Sequence, residues 1–517
     1  MNNTKVPKLE EARQVDNSLL VDGETGKWEV IIGLEIHAQV VSKSKLFSSA
    51  QVCDNADENT NVSFVDAALP GTLPVLNRVC VEQAVLAGLA LNSTINHHSV
   101  FSRKNYFYPD LPQGYQISQG DKPIVSGGYV KLDLYEDHDV NIRIERIHLE
   151  QDAGKSIHDV MPGKTFIDLN RAGVALLEIV TRPDIRSPAE AAACVRKIRT
   201  ILKYIGVCDG DMEKGNLRAD VNVSVRKPGD ALGIRCELKN INSMRFITHA
   251  STYEARRHIK ILEDGGLVQQ ETRLYDPDND CTRPMRSKEE AHDYRYFPCP
   301  DLPSVKLDDA FINRVRERLP ELPDDKKQRI IKEYGISTYD ADVLTAEKEN
   351  VEFFEEALSA AKSCSQNNKE NSIDNKIGKM VANWLLNELF GYLNRDGHDI
   401  SISPVSASQL GELVALVHGS TISGKSAKKV LEIMWDKGGK PSDIVKQENM
   451  IQMTDRKEME LICQEVIDNN PDKVKELELK HNLLGWFVGQ AMKASNGTAD
   501  PKVIQVIMND KLKHQNK

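Results

Sequence analysis

Residues 28–41 read W-E-V-I-I-G-L-E-I-H-A-Q-V-V. Successive side chains of a strand point to opposite faces. As a strand, this segment sets Val30, Ile32, Leu34, Ile36, Ala38 and Val40 on one face and Glu35, His37 and Gln39 on the other. A helix would scatter the same residues around its axis. The segment therefore demands a sheet with one face packed on a core. Residues 218–226 repeat the pattern, with Ala219, Val221, Val223 and Val225 opposite Arg218, Asp220, Asn222 and Ser224. Residues 234–239 alternate Ile234, Cys236 and Leu238 with Arg235, Glu237 and Lys239. Around residue 148, His148, Glu150 and Asp152 share a face opposite Ile147 and Leu149.

Two readings of the polar face stand side by side. Strand by strand, it fits the solvated outer side of an antiparallel sheet. Taken together, each strand carries a carboxylate, and one pairs it with an imidazole two residues away. Carboxylates gathered from several strands repel unless a cation sits among them. On this second reading Glu35, His37, Glu150 and Asp220 are candidate catalytic groups and ligands around Mg²⁺ or Mn²⁺, imidazole being better suited to Mn²⁺.

The 517 residues suffice for roughly three or four domains. A hydrophobic share of 40% with 28% charged residues excludes a mainly disordered, collagen-like or disulfide-stapled chain. A net charge of −10 excludes a uniformly basic nucleic-acid coat but not a local basic patch. Apolar runs stay shorter than the roughly 18 residues a membrane-crossing helix needs, so no membrane partner is expected. Residues 1–27 mix Glu10, Glu11, Asp16, Asp22 and Glu24 with lysines, fit neither a secretory nor a mitochondrial leader, and read as a polar extension. The nine cysteines include no C-x-x-C pair, which points to reduced thiols in the cytoplasm and away from structural zinc.

Residues 28–303 are rich in Val, Ile, Gly, Pro and aromatics and read as a mixed α/β domain. From residue 304 the period becomes 3.6, predicting helices over 351–361, 379–393, 407–417, 426–435, 457–467 and 501–512. Residues 363–374 read as a polar linker and 440–448 as a joint. The expectation is a helical domain over 304–440 and a helical tail over 441–517. Within the first domain, 104–119, 168–184, 209–220 and 271–303 read as long functional loops. In the last of these, Arg273, Arg283, Arg286 and Arg295 stand beside Tyr275, Tyr294, Tyr296 and Phe297. They either grip phosphates and stack bases or pair with Asp276, Asp278, Glu289, Glu290 and Asp293. Residues 419–426, G-S-T-I-S-G-K-S, match the phosphate-cradling P-loop pattern. That motif needs a strand in a parallel sheet, whereas the flanks here are helical. The segment reads as a loop between helices with Ser423 as N-cap.

Four long strings carry a family resemblance: V-I-I-G-L-E-I-H, Y-F-Y-P-D-L-P-x-G-Y-Q-I-S-Q, L-N-R-A-G-V-x-L-L-E-I-V-T and T-R-P-M-R-S-K-E-E-A-H-D-Y-R-Y-F-P. From about residue 28 to 512 the chain resembles the B-subunit family of aspartyl/glutamyl-tRNA amidotransferases. The resemblance implies an α+β protein: a mixed α/β cradle built on antiparallel sheet, then an all-α helical domain and a helical tail that grips tRNA. It implies a heterotrimer with an amidase, the A component, which releases ammonia from glutamine, and a small C component. Ammonia would reach this chain through a tunnel. There, ATP would phosphorylate the side-chain carboxylate of misacylated Glu-tRNA(Gln) or Asp-tRNA(Asn), and ammonia would displace the phosphate. Glu35, His37, Glu150, Glu178 and Asp220 match the family's metal-bearing positions, for Mg²⁺ or Mn²⁺. Lys425, Lys428, Lys493 and Lys502 are expected to meet tRNA, with Arg256, Arg257, Lys260 and Lys429 as further candidates.

The chain departs from that family's pattern in three places. Where many relatives carry zinc-binding thiols, it has Ser48, Ser49 and residues 62–66, so no structural zinc is expected and the loop must be held by packing. Gln151 stands where relatives often place a second acid, and Gln113 where they often place Lys. The second change puts the family's gating of ammonia in doubt here.

Overall fold

The computed structural model describes residues 16–53, 55–134, 139–286, 294–364, 371–453, 455–477, 483–495 and 498–515. The chain divides into two compact units, Met1–Leu322 and Pro323–Lys517. In chain order, the strands that frame the first unit are β1 (Gly26–Gln39), β2 (Ser102–Asn105), β3 (Tyr115–Ser118), β4 (Val140–Gln151), β5 (Ala175–Thr181), β6 (Leu217–Arg226), β7 (Cys236–Lys239), β8 (Thr272–Asp276), β9 (Cys281–Arg286) and β10 (Phe297–Pro298). Among the described residues an eleven-stranded sheet runs β9-β8-β7-β6-β1-β5-β4 and continues through Val125–Ser126 and Thr94–Ile95. Strands β10, β2 and β3 form a separate small sheet. Neighbours in the large sheet are antiparallel except β7 and β8. A parallel pair needs a crossover, and the helix Met244–Glu263 supplies it.

Helices α1 (Arg78–Ala90), α2 (Pro188–Tyr204) and α3 (Met244–Glu263) cover the apolar face. Each opens on a side-chain cap: Asn77 accepts from the Val79 amide, Ser187 from Glu190 and Ser243 from Phe246. These caps satisfy amides that a helix leaves unpaired. Val30, Ile32, Leu34, Ile36, Ala38 and Val40 are all buried in this core, as the alternation predicts. Gly88 of α1 leaves no room for a side chain, since a Cβ there would meet Ile95 at 2.7 Å and Val125 at 2.8 Å.

Several expected loops are strands. Residues 104–119 include the end of β2 and all of β3, 168–184 contain β5, and 271–303 hold the β8–β9 hairpin and β10. Their Pro, Gly and Arg content hides short β runs whose partners lie far away in sequence. Ile234, expected on the apolar face, precedes β7 and is 49% exposed. Helix Asp309–Arg316 packs on α1, where Arg78 lies over the Phe311 ring, so this unit runs past residue 303 to Leu322.

The second unit is helical. Helices Lys348–Cys364, Ala407–His418, Gly424–Lys437, Arg456–Asp468 and Pro501–Gln515 cover the expected segments. Residues 379–393 form a π-helical turn, Trp384–Leu389, set between α-helical runs. The joint expected at 440–448 is instead the helix Pro441–Gln447, started by a proline at its first turn. Of the expected linker, 365–370 lie outside the described residues, and helix begins by Asn371. Gly411 lets Ala407–His418 cross Lys348–Cys364 closely: a Cβ there would meet the Ala357 carbonyl at 2.2 Å. Ser423 caps Gly424–Lys437 by accepting from the Ser426 amide at 3.1 Å, so the P-loop look-alike joins two helices. Residues of the tail, among them Met459, Cys463, Phe487, Ala491 and Met508, form their own small core.

A carboxylate and imidazole cleft as the candidate active site

The opposite face of the large sheet floors a cleft of about 1460 Å³. Its chemistry follows from register. Glu178 of β5 pairs with His37 of β1 on one side and His148 of β4 on the other. Arg218 of β6 pairs with His37, and Asp220 with Glu35. Directly opposite residues of antiparallel strands share a face. One row therefore reads Arg218, His37, Glu178, His148, and the next reads Asp220, Glu35, Val180, Arg146. Glu150 follows His148 by two positions and joins the same face.

Three of these side chains converge most closely. His37 Nε2 lies 3.5 Å from Glu150 Oε1 and 3.5 Å from Glu178 Oε2. His148 Nε2 lies 3.1 Å from Glu178 Oε2 and 3.9 Å from Glu150 Oε2. The ligand-type atoms of His37, Glu150 and Glu178 all fall within 4.8 Å of one another. Glu35 accepts from Asn222 at 3.0 Å, and Asp220 accepts from Lys239 at 2.9 Å. The structure thus brings Glu35, His37, Glu150, Glu178 and Asp220 to one cleft.

The charges are mutually dependent. Burial and the neighbouring Glu178 and Glu237 carboxylates raise the pKa of Glu35. Burial opposes a charge on His148, but hydrogen bonds with Glu150 and Glu178 outweigh it and push its pKa up to about 9. The same balance raises His37 through Glu178 and Glu150. Burial would raise Glu178, yet both imidazoles hold it well below the usual carboxylate range. From the roof, Lys104 of β2 stands over the Tyr294 ring at 5.0 Å, with the Tyr106 ring at 5.9 Å. Burial works against its charge, while Glu150, Tyr296 and Glu178 hold it firmly protonated. Lys239 is raised likewise by Asp220 and Glu237, against the cost of burial.

Oxygen donors and an imidazole within reach of one point suit Mg²⁺ or Mn²⁺. His37, Glu150 and Glu178 are the residues that would hold such an ion, with Glu35 and Asp220 alongside. Sequence reasoning left His148, Lys104 and Lys239 out of the site. His148 was legible from its i,i+2 spacing to Glu150. Lys104 was not, because its strand is short and its roof position depends on β10.

A second cluster has similar donors. Cys236, Glu254 and His258 are buried between β7 and α3, with ligand-type atoms within 4.8 Å. Glu254 already accepts from Arg257 at 2.6 Å, His258 at 2.9 Å and the Thr282 hydroxyl at 2.7 Å, with Arg273 at 3.5 Å. Arg273 and Arg283, read as either phosphate grips or network members, pair with Glu271 and Asp276 respectively. Glu289, Glu290 and Asp293 lie outside the described residues.

The departures from the family pattern have structural counterparts. Gln151 donates to Gln113 Oε1 at 3.0 Å, so the two unusual glutamines meet each other, and Gln113 donates to the Val65 carbonyl. The segment around Ser48 and residues 62–66 is pinned by Lys45, whose Nζ donates to Asp66 at 3.0 Å with side chains 0% and 2% exposed. Asp66 also accepts from the Ser48 hydroxyl and the Ser63 amide. This loop is held by a buried ion pair as well as by packing.

Of the residues expected to meet tRNA, Lys425, Lys493 and Lys502 are exposed, and Lys428 is exposed but paired with Glu388 at 2.6 Å. Arg257 is taken up by Glu254, while Arg256, Lys260 and Lys429 are exposed. Among the described residues no helix is long and apolar enough to cross a membrane.

Comparison with known proteins adds the family. Residues 30–313 match the GatB/GatE catalytic domain, and residues 368–512 match the GatB domain. The aspartyl/glutamyl-tRNA(Asn/Gln) amidotransferase B subunit of Methylobacterium nodulans is 57% identical over 498 residues, covering 96% of this chain and 99% of the relative. Its counterpart from a Rhodopseudomonas palustris strain is 55% identical over 498 residues, with the same coverage of both chains. The Methylorubrum extorquens protein of the same name is 56% identical over 499 residues, again covering 96% and 99%. The α+β chain therefore belongs to the family of aspartyl/glutamyl-tRNA(Asn/Gln) amidotransferase B subunits.

Proposed function

We propose that this protein activates and amidates the side-chain carboxylate of a misacylated tRNA, Glu-tRNA(Gln) or Asp-tRNA(Asn), using ATP. One observation carries the reading: His37, Glu150 and Glu178 meet on the floor of an open cleft. A carboxylate resists ammonia because oxide is a poor leaving group. Transfer of the γ-phosphoryl group to the carboxylate oxygen forms an acyl phosphate and ADP. Ammonia then attacks the carbonyl carbon, phosphate leaves, and the excess proton passes to a base.

Bound Mg²⁺ or Mn²⁺ would neutralise and orient phosphate oxygens. The chain's own residues prepare the ground. His148 holds Glu178 in place, and Lys239 holds Asp220 on the neighbouring strand. Lys104 brings a positive charge over the acidic floor, beside the Tyr106 and Tyr294 rings. The names of the relatives as B subunits support an assembly of several chains; in this reading the others are an ammonia-supplying amidase and a small third chain, the A and C components of a heterotrimer. The exposed Lys425, Lys493 and Lys502 are offered to tRNA phosphates. The nine thiols favour a reducing, cytoplasmic setting.

The test is co-expression with the amidase and the small third chain, followed by conversion of each misacylated tRNA. Product should require ATP, glutamine and a divalent ion together. Amidation that proceeds without ATP would reject the activation step.

A further inference from the structure

Strand β4 changes its parity in the middle. Ile142 and Ile144 are buried on the core side, but so are Ile147 and Leu149. The switch occurs at Glu145: Thr181 of β5 pairs with Ile144, while its neighbour Val180 pairs with Arg146. One extra residue in one strand is a β-bulge, a device found beside active sites because it re-aims side chains. Without it Arg146 would point into the core with Ile142 and Ile144. With it, Arg146, His148 and Glu150 all face the cleft.

Arg146 reaches the cleft uncommitted. Among the described residues no carboxylate pairs with it. Arg182, which lines the same cleft, pairs with Glu145 at 2.7 Å. Arg146 lies in register with Val180 and, one strand further, Glu35. Its root is thus about 10 Å, two strand spacings, from that of Glu35. On its other side Ser126 is in register with it and also lines the cleft. The Ser126 oxygen accepts from Asn96 at 2.7 Å, which leaves its O–H to donate.

From this we infer that Arg146, with the Ser126 hydroxyl, forms a phosphate-binding ledge of the cleft that receives the nucleotide's phosphate chain opposite the carboxylate floor. The assignment rests on the ATP-dependent reading above. A free guanidinium presents a planar fork of donors matched to phosphate oxygens. Phosphoryl transfer needs positive charge on both sides of the reacting group, and Val180 between the two ends leaves a neutral floor for the chain to cross.

The experiment uses the full chain in its heterotrimeric assembly and measures equilibrium binding of Mg·ATP, together with KM for ATP and for misacylated tRNA. Arg146→Gln should weaken ATP binding about 10- to 100-fold and raise the ATP KM in step, with the tRNA KM unchanged. Arg146→Lys should recover part of the loss. Arg143→Gln, on the same strand but paired with Asp184 and not lining the cleft, should bind ATP like the parent. Thermal melting of each variant identifies any that fails to fold, and Arg146→Lys then carries the comparison. Unchanged ATP affinity in a folded Arg146→Gln, or a defect confined to the tRNA KM, overturns the assignment. A parent assembly that binds no ATP rejects the proposed function and the ledge with it, which distinguishes the two failures.

Discussion

His37, Glu150 and Glu178 sit on the cleft floor, and Cys236, Glu254 and His258 sit between β7 and α3; in both sets the ligand-type atoms fall within 4.8 Å. The two differ in what already surrounds them. Glu254 is fully buried, and its oxygens are occupied by Arg257, His258 and Thr282, with Arg273 beside them. The carboxylates of the cleft are buried too, but their neighbours are His37, His148 and the Ser118 hydroxyl rather than guanidinium groups, and His37, His148 and Glu178 line a large cavity. Donor spacing alone does not make a metal site. A carboxylate saturated by guanidinium groups is a brace, and one that shares imidazoles at the wall of an open cavity can accept a ligand.

The largest effect expected is on the brace. Glu254→Ala removes the buried carboxylate that Arg257, His258 and Thr282 share, leaving Arg257 and Arg273 with Glu271 alone, and should cost about 3–5 kcal/mol of stability, read from denaturant unfolding of the purified chain. A loss below about 1 kcal/mol would erase the contrast. Next, Glu178→Gln should lower amidation about 100- to 1000-fold at a smaller cost in stability than Glu254→Ala. Equal damage to stability and rate would make the cleft a second brace. Direct Mn²⁺ binding, followed by electron paramagnetic resonance, sharpens the comparison further: His37→Ala should weaken it at least about tenfold, and Cys236→Ser should leave it unchanged.

The smallest effect is in acid. The Glu254 carboxyl is held near a pKa of about 2, below its ordinary 4.5, because hydrogen bonds from His258 and Arg257 overcome the cost of burial. Its stabilisation is fully present above the unfolded value and fades as pH falls from 4.5 toward about 2. Glu254→Gln should therefore show a shallower loss of stability across that window. Parallel acid curves for the two proteins would contradict the pairing.

Long strands were legible in the sequence, and so was the chemistry carried on them. Alternation in β1, β6 and the end of β4 marked both faces, and Glu35, His37, Glu150 and Asp220 followed from it. Glu178 came through family resemblance, because β5 is almost wholly buried and its L-L-E-I-V run shows no clean alternation. Lys104 and the tyrosines of the roof belong to two- and four-residue strands or flank them. Segments so short carry no period of their own, and distant partners decide them. Arg146 escaped for another reason: counted from Ile142 and Ile144 it falls inward, counted back from His148 it falls outward, and the pairing of β4 with β5 locates the extra residue that decides between them. The helix Pro441–Gln447 was missed because a proline that begins a helix looks, in isolation, like one that ends it.

The rows of the cleft have a consequence for how such a protein can diverge. Their members come from β1, β4, β5 and β6, joined by long stretches of chain, so loops can grow or shrink while the constellation stays intact. Inside a strand, parity behaves like a reading frame. One residue inserted ahead of Glu35 would turn Ile36 outward and His37 into the oil, exchanging solubility for chemistry along the rest of the strand. Evolution is free to edit the connections of this sheet and is almost forbidden to change its count.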